Sequence, residues 1–328
     1  MRILNLFSLL LLSILLTGCN SVQVLLHVKV HINKLAIASM ETTLPNGPAI
    51  APGESSPLVA TFTQPDGTIL TTEGKGKGKI LWADLQVTPT LVTVNKKGIL
   101  SLSRDPRVSD GKTGHVLITV PSHPDLKSEF DIPLQYDYPF TSRFAGASGN
   151  NGFNGTDGQD GSSGSAGSTD PDNPSPGGDG GNGGNGSDGG NGGDGGDGPA
   201  VNVVVTLRPG PHPLLQFGVT APGHKQRFYL VDPNGGSLTV SSLGGAGGSG
   251  GKGGRGGNGG SGGVGTPSGS SGFAGTAGQD GRDGSSGSGG SITVTYDPSA
   301  QPSLANLHLV NPGGPAPKFI EGSVPPLW

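Results

Sequence analysis

Glycine recurs at every third position in four separate stretches of this chain, and no other feature limits the fold as much. The stretches are 146–167, 177–198, 244–265 and 269–290, each with eight glycines in phase. A period of three fits neither the 3.6-residue turn of an α-helix nor the two-residue alternation of a strand. It fits a left-handed extended helix with three residues per turn and a rise of ~3.1 Å per residue. Glycine at each turn leaves one bare edge, along which another backbone can approach closely.

The four runs are of two kinds. The first and fourth read G-x-x, with one bare edge. The second and third read G-G-x, with two bare edges, and only Ser187 interrupts the second glycine row of run two. A run with two bare edges can pack against more neighbours than a run with one, so runs two and three are expected between runs one and four. Thr266-Pro267-Ser268 alone joins runs three and four, which requires a reversal if they touch. Nine residues, 168–176, join runs one and two, and residues 199–243 separate runs two and three. At ~3.1 Å per residue each run would span about 65–70 Å.

These runs resemble polyglycine II bundles such as those of snow flea antifreeze protein and certain bacteriophage tail-fibre adhesins. The resemblance covers about 145–290 and implies an antiparallel four-helix polyglycine II bundle with side chains displayed outward. Three rivals are weaker. Collagen needs abundant proline, and none of the runs contains an internal one. A calcium-binding β-roll needs a large aliphatic residue in each repeat, which run two lacks. A flexible glycine-serine linker gives no reason for eight in-phase glycines in every run.

Outside the runs the chain reads as β. Apolar residues alternate through Val22, Val24, Leu26, Val28, Val30 and Ile32. Further strand signals lie at 58–63, 69–72, 80–88, 91–94, 99–103, 115–120 and 130–136, separated by turn signals such as Pro65-Asp66-Gly67 and Lys96-Lys97-Gly98. The segments Gly53–Phe62 and Ile132–Tyr136 resemble bacterial immunoglobulin-like domains. The expected fold class is therefore mainly β: an N-terminal antiparallel β-sandwich over 19–140, a small second β module inserted at 199–243, and the glycine bundle. Residues 291–328 supply a C-terminal strand and a proline-rich tail, and no α-helix is expected beyond a leader at 1–18.

That leader sets the compartment. Arg2 precedes an apolar stretch, Leu4–Leu16, of signal-peptide length and short of the ~20 residues that span a bilayer. Leu16-Thr17-Gly18-Cys19 resembles the lipobox of bacterial lipoproteins, which implies cleavage before Cys19, lipid on its sulfur and an outer-membrane anchor. Cys19 is the single cysteine, so no intrachain disulfide can form.

No catalytic constellation stands out, and neither a cofactor nor a metal site is expected. His27, Lys29 and His31 share one face of an expected strand, and Lys75, Lys77 and Lys79 suggest a hairpin edge; both read as solvated surface. The row Asp179, Asp188, Asp194, Asp197 has neighbours spaced ~9 Å or more apart, too far for shared cation coordination. A net charge of −4 and 5% aromatic residues argue against a nucleic-acid partner. The expected function is non-enzymatic, structural or adhesive. The candidate contact tip is Asp170, Asp172, Asn173, Thr266 and Ser268, at the turns. Expected partners are the membrane through lipid on Cys19, an envelope or cell-surface ligand, and further copies through the glycine faces. Two alternatives are binding of ice or another repetitive surface, and a carbohydrate- or protein-binding module at 21–140 carried beside disordered glycine linkers.

Overall fold

The computed structural model describes residue 24 and residues 28–328; the leader and Cys19 lie outside the described residues. Strand accounts for 32% of the described residues and helix for 7%, and within 28–328 the helical pieces are 3-10 turns, the longest Pro298–Asn306.

The N-terminal unit holds nine strands: β1 (Ser39–Thr43), β2 (Ser55–Pro57), β3 (Val59–Thr63), β4 (Ile69–Thr71), β5 (Gln86–Thr90), β6 (Val92–Val94), β7 (Ile99–Leu102), β8 (Gly114–Val120) and β9 (His123–Ile132). They form three antiparallel three-stranded sheets, β1-β3-β4, β2-β7-β6 and β5-β8-β9. Alternation explains the packing: Val116, Ile118 and Val120 of β8 are buried, and the residues between them are less so. Phe62, Ile80, Trp82 and Leu100 complete the core. The described part of the alternating segment 22–32 is not a strand. Val30 makes a single bridge to Ile80, and the chain then turns through Ile32–Lys34.

The second unit is larger than a small insertion. It gathers β10 (Pro139–Ala145), β11 (Val201–Arg208), β12 (Leu214–Thr220), β13 (Arg227–Val231), β14 (Ser237–Leu243), β15 (Ile292–Tyr296), β16 (Leu307–Val310) and β17 (Lys318–Glu321). One sheet runs β10-β14-β16, all parallel; the other runs β13-β12-β11-β15-β17 and is mixed. Their shared core includes Phe140, Phe144, Val203, Phe217, Val240 and Val294. Parallel pairing needs long crossover connections, and here the glycine runs supply most of them.

The C-terminal tail covers the outer side of β12. Gln216 accepts the Leu327 N–H at 3.0 Å, and Thr206 donates to the Val324 carbonyl at 3.0 Å. Trp328 then reaches the N-terminal unit, donating through Nε1 to Asp110 at 2.9 Å and meeting Phe228 edge to face. Arg208 also pairs with Asp110, and the Arg107 guanidinium lies 3.9 Å over the Phe228 ring. These contacts join the two units on the side away from the glycine runs.

The runs are ordered by bonds between them. Runs one and two are antiparallel, as in Gly178 N–H to Ser165 O and Gly193 N–H to Asn150 O. Runs two and three, and three and four, are antiparallel as well. Runs one and three are parallel, as are runs two and four. Runs two and three each bond three neighbours; runs one and four each bond two. The expectation of an antiparallel four-helix polyglycine II bundle is overturned. No residue of the four runs is helical, and among the described residues there is no four-helix bundle. The amides satisfy one another laterally as in a sheet, and half of the non-central contacts are parallel. We refer to the assembly as the glycine stack.

The stack grows directly out of the second unit. β10 pairs with β14 up to Ala145 opposite Leu243. The next bonds, Gly146 N–H to Leu243 O and Gly149 N–H to Ala246 O, continue the same parallel pairing into runs one and three. Runs two and four likewise continue into β11 and β15, where Val201 faces Ile292. All four junctions lie at one end, so the turns at 168–176 and 266–268 lie at the other.

Candidate interaction surfaces of the glycine stack

Glycine is required where backbones meet. A Cβ on Gly195 would collide with the Gly245 carbonyl, whereas one on Gly196 would have its closest neighbour, the Ala147 nitrogen, at 3.5 Å. The looser row, which faces run one, is the row that Ser187 interrupts. Its Oγ accepts the Thr156 N–H at 2.8 Å and lies 3.1 Å from the Thr156 hydroxyl.

Side chains at the third position of run two do structural work that their charge disguised. Oδ1 of Asp179, Asn182, Asn185, Asp188, Asn191, Asp194 and Asp197 accepts the N–H of Ser270, Phe273, Thr276, Gln279, Arg282, Ser285 and Ser288 respectively, at 2.7–2.9 Å. Asn151, Asn154, Asp157 and Asp160 of run one do the same for amides of run three. Asp and Asn share this Oδ1, which is why the row mixes them. The row therefore stitches one run to the next, a role that sequence spacing alone could not assign. Its signal was present, though: an Asp or Asn fills every third position of run two.

Two long faces result. One is centred on run three and carries Lys252 and Arg255 among carboxylates. Lys252 pairs with Asp280 at 2.7 Å, which lowers the carboxyl below its ordinary range and raises the ammonium. The other is centred on run two and carries the only large aromatic side chains of the stack. Phe153 and Phe273 are 87% and 80% exposed, so they pack neither against the stack nor against each other.

The tip residues Asp170, Asp172, Asn173, Thr266 and Ser268 are all exposed at the distal turns. They also hold those turns: Asp170 accepts the Asp172 N–H through Oδ1 and the Asn173 N–H through its carbonyl. Thr266 N–H bonds Ser175 O across the two turns, and Ser268 donates to Gly265 O.

In the N-terminal unit, Lys29 pairs with Glu73 at 3.4 Å and His31 Nδ1 lies 2.9 Å from Asp84. Residues 74–76 form a 3-10 turn with Lys77 left-handed after it, in place of the expected hairpin. His115 sits between Glu129 and Asp131, and its hydrogen bond to Asp131 raises it above the ordinary histidine range. A groove of about 440 Å³ is lined by Trp82, Leu85, Val87, Val94 and Lys96. Among the described residues no group of three His, Cys, Asp or Glu could hold a metal, and no helix is long and apolar enough to cross a membrane.

Fold and surfaces together define a mainly β protein from which a side-chain-bearing glycine stack projects. Comparison with family models, curated proteins and solved structures gave no match.

Proposed function

We propose that the chain is a non-enzymatic lipoprotein of the bacterial envelope, structural or adhesive, whose glycine stack displays side chains away from the membrane. One observation carries this reading: all four junctions between stack and sheets lie at the same end. The stack therefore stands free along its length, with its turns farthest from the β units. Its outward rows are fixed by main-chain bonds, so they form a constant surface of the kind that contact with a partner requires. Lipid on Cys19, as the lipobox resemblance implies, supplies the membrane attachment.

The ice-binding alternative is less well supported, because the run-two face mixes Phe153, Phe273, Arg282 and Asp188 with its two threonines. Metabolic labelling with a palmitate analogue, followed by membrane fractionation, tests the anchor. Label and membrane association should both be lost in Cys19→Ser; equal soluble partitioning of the two proteins would sink it. Beads coated with the protein should adhere to cells that bear it or its ligand. Adhesion unchanged by charge reversals across both stack faces would end the display reading.

A further inference from the structure

Runs one and four share the pattern Gly-Phe-x-Gly-Thr-x-Gly-Gln-Asp-Gly at 152–161 and 272–281, and the fold gives this duplication a geometry. Along run two, the amides of Gly190, Ser187 and Gly184 bond the carbonyls of Phe153, Thr156 and Gln159. On its other side, the amides of Gly183, Gly186 and Gly189 bond the carbonyls of Phe273, Thr276 and Gln279. Phe153 therefore stands across run two from Gln279, Thr156 from Thr276, and Gln159 from Phe273. Both rows lie on the run-two side of the stack. Thr156 bonds Ser187 through its hydroxyl, and the amides of the run-four row are held by the Asp and Asn side chains of run two. A half-turn about an axis through run two, between residues 186 and 187, exchanges the two motifs.

We propose that this face docks against the same face of a second copy, with the two stacks antiparallel. An isologous interface needs a patch complementary to itself, and the internal two-fold provides one. When a second copy is turned about an axis in the face and across the runs, each phenylalanine lies over a glutamine. Phe153 meets the second copy's Gln159, Phe273 meets its Gln279, and Thr276 meets its own counterpart. The same operation sets Asp188 opposite Asn185 and brings Arg282 beside the Phe273 ring, a cation–π partnership. Of the run-two aspartates this antiparallel overlay brings only Asp179 and Asp194 onto each other, whereas a parallel overlay sets all four, Asp179, Asp188, Asp194 and Asp197, on their own counterparts, and like charges across an interface oppose docking.

Size agrees with this. The pseudo-axis falls near the middle of run two, so antiparallel stacks overlap along almost their whole length. Three runs spaced ~4.8 Å apart and, at an extended rise of ~3.3 Å per residue, about 70 Å long, with side chains, offer roughly 1,000 Å² per partner. A stable interface needs ~800 Å² per partner. The opposite face has no aromatic residue, and its lysine is already paired with Asp280. The proposal deepens the display reading and rests on it only for the surface that presents the second copy.

The test uses the full chain in mild detergent. Thr276→Cys should form a disulfide-linked dimer on mild oxidation, and Ser261→Cys, on the opposite face, should not. Wild type, which keeps only Cys19, is the background for both. By light scattering, Phe153→Ser with Phe273→Ser should weaken dimerisation roughly tenfold or more. Amide exchange of the stack should not change, because both rings are exposed in the single chain. Three results would overturn the proposal: a monomeric wild type, dimerisation insensitive to the double change, or equal cross-linking at 261 and 276. Binding of a polysaccharide by a monomeric chain through these phenylalanines would overturn it too, and would leave the display reading intact. Failure of the anchor test would leave the dimer untouched.

Discussion

The two kinds of architecture in this chain hold together by opposite means. The β units bury large side chains: Phe62, Phe144, Phe217 and Leu215 are almost wholly enclosed. The glycine stack buries almost nothing but main chain, and each run is held by amide bonds to its neighbours. In the β units, therefore, stability scales with the volume of a side chain. In the stack it depends on the absence of one, and the outward positions are left free to vary. A chain can thus carry a rigid surface whose composition is almost independent of what makes it rigid.

Substitutions of one class in both regions should expose this contrast most strongly. Phe217→Ala should cost about 3–5 kcal/mol through a lost core side chain and the cavity it leaves. In the stack one added methyl should do comparable damage: Gly195→Ala, driven against the Gly245 carbonyl, should cost about 3 kcal/mol or more. The adjacent Gly196→Ala should be neutral or stabilising by up to ~1 kcal/mol, because alanine fits there and the unfolded chain loses freedom. Denaturant unfolding of the three variants measures all of this; equal losses at 195 and 196 would refute the packing argument.

A smaller effect is expected at the joint between the β units. Asp110→Ala deprives both Arg208 and Trp328 of their shared acceptor and should cost about 2–3 kcal/mol. It should separate one thermal transition into two by calorimetry, with the stack remaining bound to the second unit. Smaller again, Asn185→Leu removes the acceptor of the Thr276 amide and should cost about 1 kcal/mol. Asp188→Asn keeps its Oδ1 and should be close to neutral. A large loss for Asp188→Asn would mean that charge, not geometry, governs the row.

The smallest effects are protonation equilibria of the β units. The His115 imidazolium is favoured first by its hydrogen bond to Asp131. Its contribution to stability is thus complete below pH ~6.5 and is lost as pH rises through the higher folded-state value. An NMR titration should find its midpoint above 6.5, and Asp131→Asn should lower it. Tyr136 is pushed up to about 12, first by burial and then by the Asp110 carboxylate. Stability should therefore fall as pH rises from ~10 toward that value, with one tyrosine ionising late by ultraviolet absorbance.

Much of the stack was legible because glycine spacing reports directly on backbone approach. The doubled glycines mark the two runs that stand between neighbours, and the three-residue connector marks a reversal. Helical conformation did not follow from the period, since lateral bonding satisfies the same amides without it. The strands of the N-terminal unit were legible where burial alternates, as in β8. They were illegible at 28–32, where a local apolar alternation gives way to a 3-10 turn. The second unit was misjudged because two of its parallel pairs, β10 with β14 and β11 with β15, join residues 98 and 91 positions apart, and no local pattern records a parallel partner that distant. The face of Phe153 and Phe273 was visible as a duplication, but its two-fold arrangement emerges only when both motifs are aligned on run two.

The unbroken passage from strand pairing into glycine pairing has one more consequence. A run that slid by three residues along its neighbours would find every glycine facing an equivalent glycine, so the stack by itself cannot count. The sheets can: Phe140, Phe144, Leu238 and Val240 on one pair, Val201, Val203, Ile292 and Val294 on the other, fit their core in one alignment only. The β unit thus serves as the zero mark of a ruler whose divisions are identical. Lengthening the ruler would require the same number of three-residue steps in all four runs at once. A single triplet added to one run would leave the zero mark in place and strand the surplus at the distal turn.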